Sequence, residues 1–312
     1  MMIRNYLVDP SILQTLRNQK GATAVLVALS VIVICGMAAL VMDVGLLYVN
    51  KYQLANAADS AALAGAQDLP GNYTQAKADA NTYANLNGKK GDIVQVTVAN
   101  DNTSVTVTIS RKVPLFFANI WNESMANVTA TTTAQVKTFS GGNIGIVPFG
   151  IVKQNLVFGK TYKLKVGAGS GFDGNFQALA LGGTGASVYL YNLKYGYKGT
   201  FHIGDWISTE TGNISGPTSQ GIAYRINLDP TATFDTVQNN SGRIVVSPII
   251  DSFAVNGSSN VQVVGFAAFF LEGNANQGSD SYVYGKFRQM VLPGDISTSA
   301  TNYGLNHVVL TN

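Results

Sequence analysis

Two histidines, His202 and His307, and one cysteine, Cys35, are all the imidazole and thiol groups in the 312 residues. That is too few for a Cys/His zinc site, and a lone thiol closes no internal disulfide. Carboxylates are more numerous in the second half: Asp173, Asp205, Glu210, Asp229, Asp235, Asp251, Glu272, Asp280 and Asp295. Asp205 and Glu210 flank Trp206. Two acids beside a sugar-stacking ring are what a glycosidase requires, although turn and edge positions explain them more simply. Calcium would accept such acids with nearby carbonyls, but the spacing names no ligand set. Asp295-Ile296-Ser297-Thr298-Ser299 has the D-x-S-x-S spacing of a cation-binding loop, yet only 13 residues follow Ser299 and no helical pattern flanks it. Phe158-Gly159-Lys160-Thr161 ends like a phosphate-binding loop, but Gln154 stands where the first glycine is needed and a strand pattern follows. The glycines of Gly167–Gly171 read as turns, and no G-x-S-x-G elbow occurs. The expectation is no catalytic residue, no cofactor and no metal.

The elements that carry these residues begin with an apolar run. Gly21 to Met42 holds no charge and only Thr23 and Ser30 as polar residues. As a helix it spans roughly 33 Å, the thickness of a bilayer core. Arg4, Arg17 and Lys20 precede it and Asp43 follows at once, which predicts a cytoplasmic N-terminus and an exterior C-terminal part. A cleaved signal sequence fits less well, because the run is long and Ala55-Asn56-Ala57 lies well beyond its end. Charged residues are only 12% of the chain and the formal net charge is +3, which leaves no basic footprint for nucleic acid.

Helical spacing continues past Asp43 with no proline before Pro70. Leu46, Val49, Gln53, Leu54, Ala57, Ala58, Ala61, Ala62 and Gly65 form a stripe of mostly apolar and small residues, so one helix is expected to run from the membrane to Pro70-Gly71. A small-residue stripe lets another helix approach closely. Ala58, Ala62 and Gly65 are therefore expected as close-approach positions toward a partner helix, and Asp43, Gln53, Asn56 and Asp59 as polar specificity points. Leucine at Ala62 or Gly65 is expected to weaken assembly without unfolding the exterior part.

The run Gly21 to Ala66 resembles the N-terminal domain of TadE/TadG-like tight-adherence (Flp) pilus-assembly proteins. The resemblance is carried by the Gly21-Ala22 start, Gly36, the Asp43-Val44-Gly45 exit, and Gln53-Leu54 leading into Ala57-Ala58-Asp59-Ser60-Ala61-Ala62-Leu63-Ala64-Gly65-Ala66. Processed members resemble type IV pilins with a glutamate at the fifth position after cleavage. Cleavage after Gly21 would put Leu26 there, and no glutamate precedes Glu123. The resemblance thus implies the TadG branch, which keeps its anchor and carries a large exterior domain. It implies the lipid bilayer and other pilus-assembly or pilin proteins as partners. GNFQALALGGTGAS and GDWISTETGNISGPT are also similar to exterior halves of TadG-like proteins.

The fold class expected is α+β. Residues 1–20 are read as a cytoplasmic N-terminus, 21–43 as the transmembrane helix, and 44–139 as its extension plus a small sheet. Residues 73–86 read as a second helix, 93–109 as a hairpin about Asn100-Asp101-Asn102, and 112–121 as an aromatic loop or short helix. Ser140-Gly141-Gly142-Asn143 reads as a linker, and 140–312 as an all-β, sandwich-like domain whose short strands include 187–193 and 221–228. The functional expectation is a non-enzymatic, membrane-anchored surface component of pilus assembly. The alternatives are an adhesin whose β domain binds surface glycans or another surface, and a minor pilin-type filament subunit.

Overall fold

The computed structural model describes residues 19–118, 124–166, 178–210, 214–253, 259–277 and 280–311. Helix α1 (Gln19–Ala66) runs 48 residues without a break, about 70 Å at the standard rise. Its two halves live in different surroundings. From Val25 to Met42 the large apolar side chains are exposed on every side. The helix carries a candidate span of mean hydropathy 2.9, with 6% of that window buried within the chain. Such a surface belongs in lipid, where the helix satisfies its own backbone. From Leu54 onward, Leu54, Ala57, Ala58, Ala61, Ala62 and Ala66 are buried at helical spacing.

A turn leads from α1 into α2 (Tyr73–Asn87), whose first turn is capped by Asn72 accepting from the Gln75 N–H at 3.0 Å. Ala76, Ala80 and Ala84 line its buried face. Strands β1 (Ile93–Val98), β2 (Ser104–Pro114) and β3 (Met125–Gly142) form an antiparallel meander. Alternation sorts its faces. Val105, Val107 and Ile109 join the alanines of both helices in one core, while Thr106, Thr108 and Ser110 bond the hydroxyls of Thr133, Thr131 and Thr129 across the strands at 2.9 Å.

The rest of the chain adds β4 (Ile151–Val152), β5 (Thr161–Val166), α3 (Ala186–Tyr195), β6 (Phe201–His202), β7 (Trp206–Ser208) and α4 (Ser215–Asn227). It ends with β8 (Ile244–Ile250), β9 (Asn260–Gln277), β10 (Asp280–Arg288), β11 (Met290–Val291), β12 (Asp295–Ser297) and β13 (Leu305–Thr311). One sheet has the order β4-β8-β9-β10-β5, with β7 on β9. Every residue of β8 is buried, because successive side chains enter two different cores: Val245 and Ile249 meet Phe269 and Phe287, while Ile244 and Val246 meet Phe266 and Phe270. The α+β class holds, with the long apolar helix followed by mostly β structure.

Three local expectations need correction. Residues 187–193 and 221–228, read as strands from their Val, Tyr and Ile content, lie in helix α3 and largely in helix α4. Their burial repeats at helical spacing, with Tyr189, Asn192 and Leu193 on one helix and Thr218, Gly221, Ile222 and Arg225 on the other, so packing overrides propensity. Residues 140–142 end strand β3 instead of forming a linker. There Gly141 pairs with His202 and Asp295, and a Cβ on Gly141 would meet the Phe201 carbonyl at 2.6 Å. Finally, β13 pairs with β3 from Thr133 to Thr138 and with β11 on its other side, so the small sheet expected within residues 44–139 is extended by strands from the second half of the chain.

Candidate functional site

The polar residues of α1 converge on the place where the helix leaves its exposed apolar half and joins the sheet. Asp43 is 6% exposed. Its carboxylate accepts the backbone N–H groups of Phe116, Phe117 and Ala118 at 2.9, 3.0 and 2.9 Å. Three convergent donors satisfy a carboxylate that could not otherwise be buried, and they tie the loop after β2 to the head of the span. Residues 119–121 of the expected aromatic loop lie outside the described residues.

Two turns along, Asn50 and Gln53 share one cation. Arg111 Nη1 donates to Asn50 Oδ1 at 2.9 Å and to Gln53 Oε1 at 3.1 Å. The same guanidinium makes a two-pronged pair with Asp92, Nε to Oδ1 and Nη2 to Oδ2, each at 2.7 Å. The Arg111 hydrogen bonds hold the Asp92 carboxyl below its ordinary range, and Asp92 in turn raises the guanidinium. Further along, Thr132 Oγ1 donates to Asp59 Oδ1 at 2.7 Å, and the Lys51 ammonium donates to the Thr129 carbonyl. The bonds join the helix to the 116–118 loop, to Arg111 on β2 and to Thr129 and Thr132 on β3. Together they fix its height and rotation on the sheet, which apolar packing of near-identical alanines could not specify.

The small residues lie against the chain's own elements. Ala58 and Ala62 are fully buried. A Cβ on Gly65 would stand 2.6 Å from the Ala76 carbonyl oxygen and 2.9 Å from Ala80 Cβ. At Gly65 the close neighbour is α2 of the same chain. Of the seven expected residues, Asn56 is the one left exposed; its carbonyl accepts Ser60 Oγ at 2.8 Å. Asn50, Asp92, Arg111 and Thr132 were missed. A signal for Arg111 existed: it continues the inward series Val105, Val107, Ile109 on β2, and an inward charge demands a partner.

The other chemical candidates are held by local structure, except that Glu210 Oε2 is buried with no hydrogen-bond partner among the described residues. Asp205 accepts from the His202 N–H and Glu210 from the Gly185 N–H, both at 2.8 Å. His202 Nε2 and Asp295 Oδ2 lie 2.9 Å apart. Ser297 Oγ accepts the Ala300 N–H at 3.0 Å, as a turn hydroxyl does. Among the described residues no group of three or more His, Cys, Asp or Glu side chains is placed to hold a metal ion.

No curated protein and no solved structure matches the chain. A family model does match residues 21–68, its description being putative Flp pilus-assembly TadE/G-like. Those residues contain the exposed apolar half of α1 and every helix residue that bonds Arg111, Thr132 or the 116–118 backbone, so it is in the helix that builds both span and junction that the chain is similar to the TadE/G-like pilus-assembly family.

Proposed function

We propose that the chain is a membrane-anchored, non-enzymatic component of a Flp-type pilus-assembly system, of the TadG kind, with its β-rich part outside the membrane. The observation that supports this is the continuity of α1. The family-matched segment is lipid-suited in its first half and core-forming in its second, with no linker between them. The outer part is therefore carried at a fixed height and rotation over the bilayer, as a scaffold requires. Partners are the lipid bilayer and other pilus-assembly or pilin proteins. With Ala58, Ala62 and Gly65 engaged internally, the partner-facing stripe above the membrane is Tyr48, Tyr52 and Asn56, one turn apart from each other and all exposed. Asp43, Gln53 and Asp59 serve that contact by orienting the helix.

The test is deletion of the gene followed by quantification of sheared filaments. Deletion is expected to abolish filaments, and Tyr52→Ala with Asn56→Arg is expected to reduce them while the protein remains folded. Undiminished filaments in the deletion strain would overturn the proposal.

An adhesin reading has one observation in its favour. Tyr191, Tyr195 and Tyr224 cluster on α3 and α4, with ring centroids 4.9 and 5.5 Å apart in tilted and edge-to-face pairs. Lys194 sits 5.3 Å over the Tyr224 ring. Exposed rings such as those of Tyr191 and Tyr195 suit sugar faces. Binding of the full-length protein to a glycan array, lost on Tyr191→Ala and Tyr195→Ala, would support it, and no binding on the array would remove it.

A further inference from the structure

A cleft of about 670 Å³ opens beside α1 immediately past Asp43, between the α2–β1 turn and strand β2. Leu46 and Phe116 lie at its apolar side, and Lys89, Lys90 and Lys112 at its rim. Arg111 and Asp92 line its floor, where each neutralises the other through both prongs of their pair. The three lysines are exposed; Asp92 accepts the Lys89 backbone N–H at 2.8 Å and feels its charge, but among the described residues no carboxylate lies within salt-bridge distance of the three ammoniums. The cleft is therefore cationic by its rim, apolar on one wall, and satisfied at its base.

Its height is set by the helix. The charge-free run ends at Met42, so Asp43 marks the edge of the hydrocarbon. Leu46 and Asn50, the helix residues lining the cleft, stand about 5–10 Å farther along the axis. That is the depth of the phospholipid headgroups. Phe116 is 69% exposed, yet its backbone N–H is bonded to Asp43. A large apolar ring is thus held at the membrane surface, largely uncovered by the described residues.

We propose that this cleft binds the phosphate headgroup of an anionic phospholipid in the leaflet that α1 enters. The Lys89, Lys90 and Lys112 ammoniums would surround the phosphate, and Leu46 and Phe116 would flank the start of the acyl chains. Charge complementarity and continuity with the span both point to lipid as the occupant. The inference rests on α1 crossing the bilayer.

The test places the full-length chain in nanodiscs of neutral phosphatidylcholine, or of the same lipid doped with phosphatidylglycerol, and follows amine labelling of each lysine by mass spectrometry. Attraction to an anionic surface amounts to about fivefold per lysine. Labelling of Lys89, Lys90 and Lys112 is expected to slow by about that factor in the anionic discs. The exposed Lys153 and Lys198, on other elements, should be unchanged. About 1 M salt, with a Debye length near 3 Å, should remove the difference. The variant Lys89→Gln, Lys90→Gln, Lys112→Gln should carry less phosphatidylglycerol through purification than the parent. Equal labelling in the two discs would overturn the proposal, as would full protection by inorganic phosphate in neutral detergent, which would make the site one for free anions. Release of the protein from membranes by alkaline extraction would defeat the anchor itself, a failure distinguishable from equal labelling of an anchored chain.

Discussion

Replacing Gly65 by alanine separates an internal role for the small-residue stripe from an external one. A Cβ there would stand 2.6 Å from the Ala76 carbonyl oxygen, 2.9 Å from Ala80 Cβ and 3.4 Å from Val105 Cγ1. The first contact is backbone, so it is relieved only by moving α2. Overpacking a filled core costs about 1–3 kcal/mol, and a backbone clash belongs at the upper end. Against this, Gly→Ala inside a helix gains about 1 kcal/mol. The net loss is about 2 kcal/mol, or a fall in Tm of about 4–8 °C for a unit of this size. Gly45, on the same helix, has nothing within 4 Å of its Cβ position, so Gly45→Ala should keep the propensity gain and be neutral or slightly stabilised. The assay is thermal unfolding of the full-length protein in detergent, followed by circular dichroism, with limited proteolysis near Pro70 as a local readout. Equal melting of the two variants would refute the packing of α2 on α1. Leucine at Ala62, fully buried, overpacks the same core and should lower the melting temperature of the helix–sheet unit.

Arg111→Met strands the buried Asp92 carboxylate and should cost about 3–5 kcal/mol, with Arg111→Met/Asp92→Asn recovering part of the loss in chemical denaturation. Asp92, whose carboxyl is held low by Arg111, contributes stability that is present above its unfolded value and lost as pH falls through its folded one. Asp68 behaves oppositely: burial, then the neighbouring Asp79 carboxylate, push it up to about 6. Its folded form holds the proton more tightly, so its contribution is full below about pH 4 and is lost as pH rises through about 6. Asp68→Asn should flatten the melting temperature across that window while Asp92 variants leave the slope there unchanged. Asp43→Ala frees three backbone donors at residues 116–118, and should make that loop cleavable by protease in detergent without melting the sheet.

The length of α1, its stop near Pro70 and the hairpin about Asn100–Asn102 follow from local periodicity, and all of them were legible in the sequence. What was hidden depends on pairing across long separations. Nothing near residue 140 announces that residues 305–311 will lie beside β3, or that Gly141 serves close approach to β6 instead of flexibility. Helices α3 and α4 were obscured because Tyr189, Tyr191, Ile222 and Ile226 have strand-like propensities, and only the spacing of their buried faces marks them as helical. At the junction, Asp43, Gln53 and Asp59 stood out as polar residues on an apolar helix, but Arg111 and Thr132, which bind Gln53 and Asp59, sit far away in sequence. The same stripe of small residues reads equally well as a surface for another chain or for α2, and sequence spacing alone does not distinguish the two.

Fractionation of sheared cells tests the anchored-component reading most directly, using an antibody to the C-terminal half and sizing the protein in filaments and membranes. Full-length protein confined to membranes and resistant to alkaline extraction is the expected result, since α1 is one uninterrupted helix from the span into the core. Protein shortened at its N-terminus and recovered in filaments would contradict it, and would make the chain a pilin-type subunit.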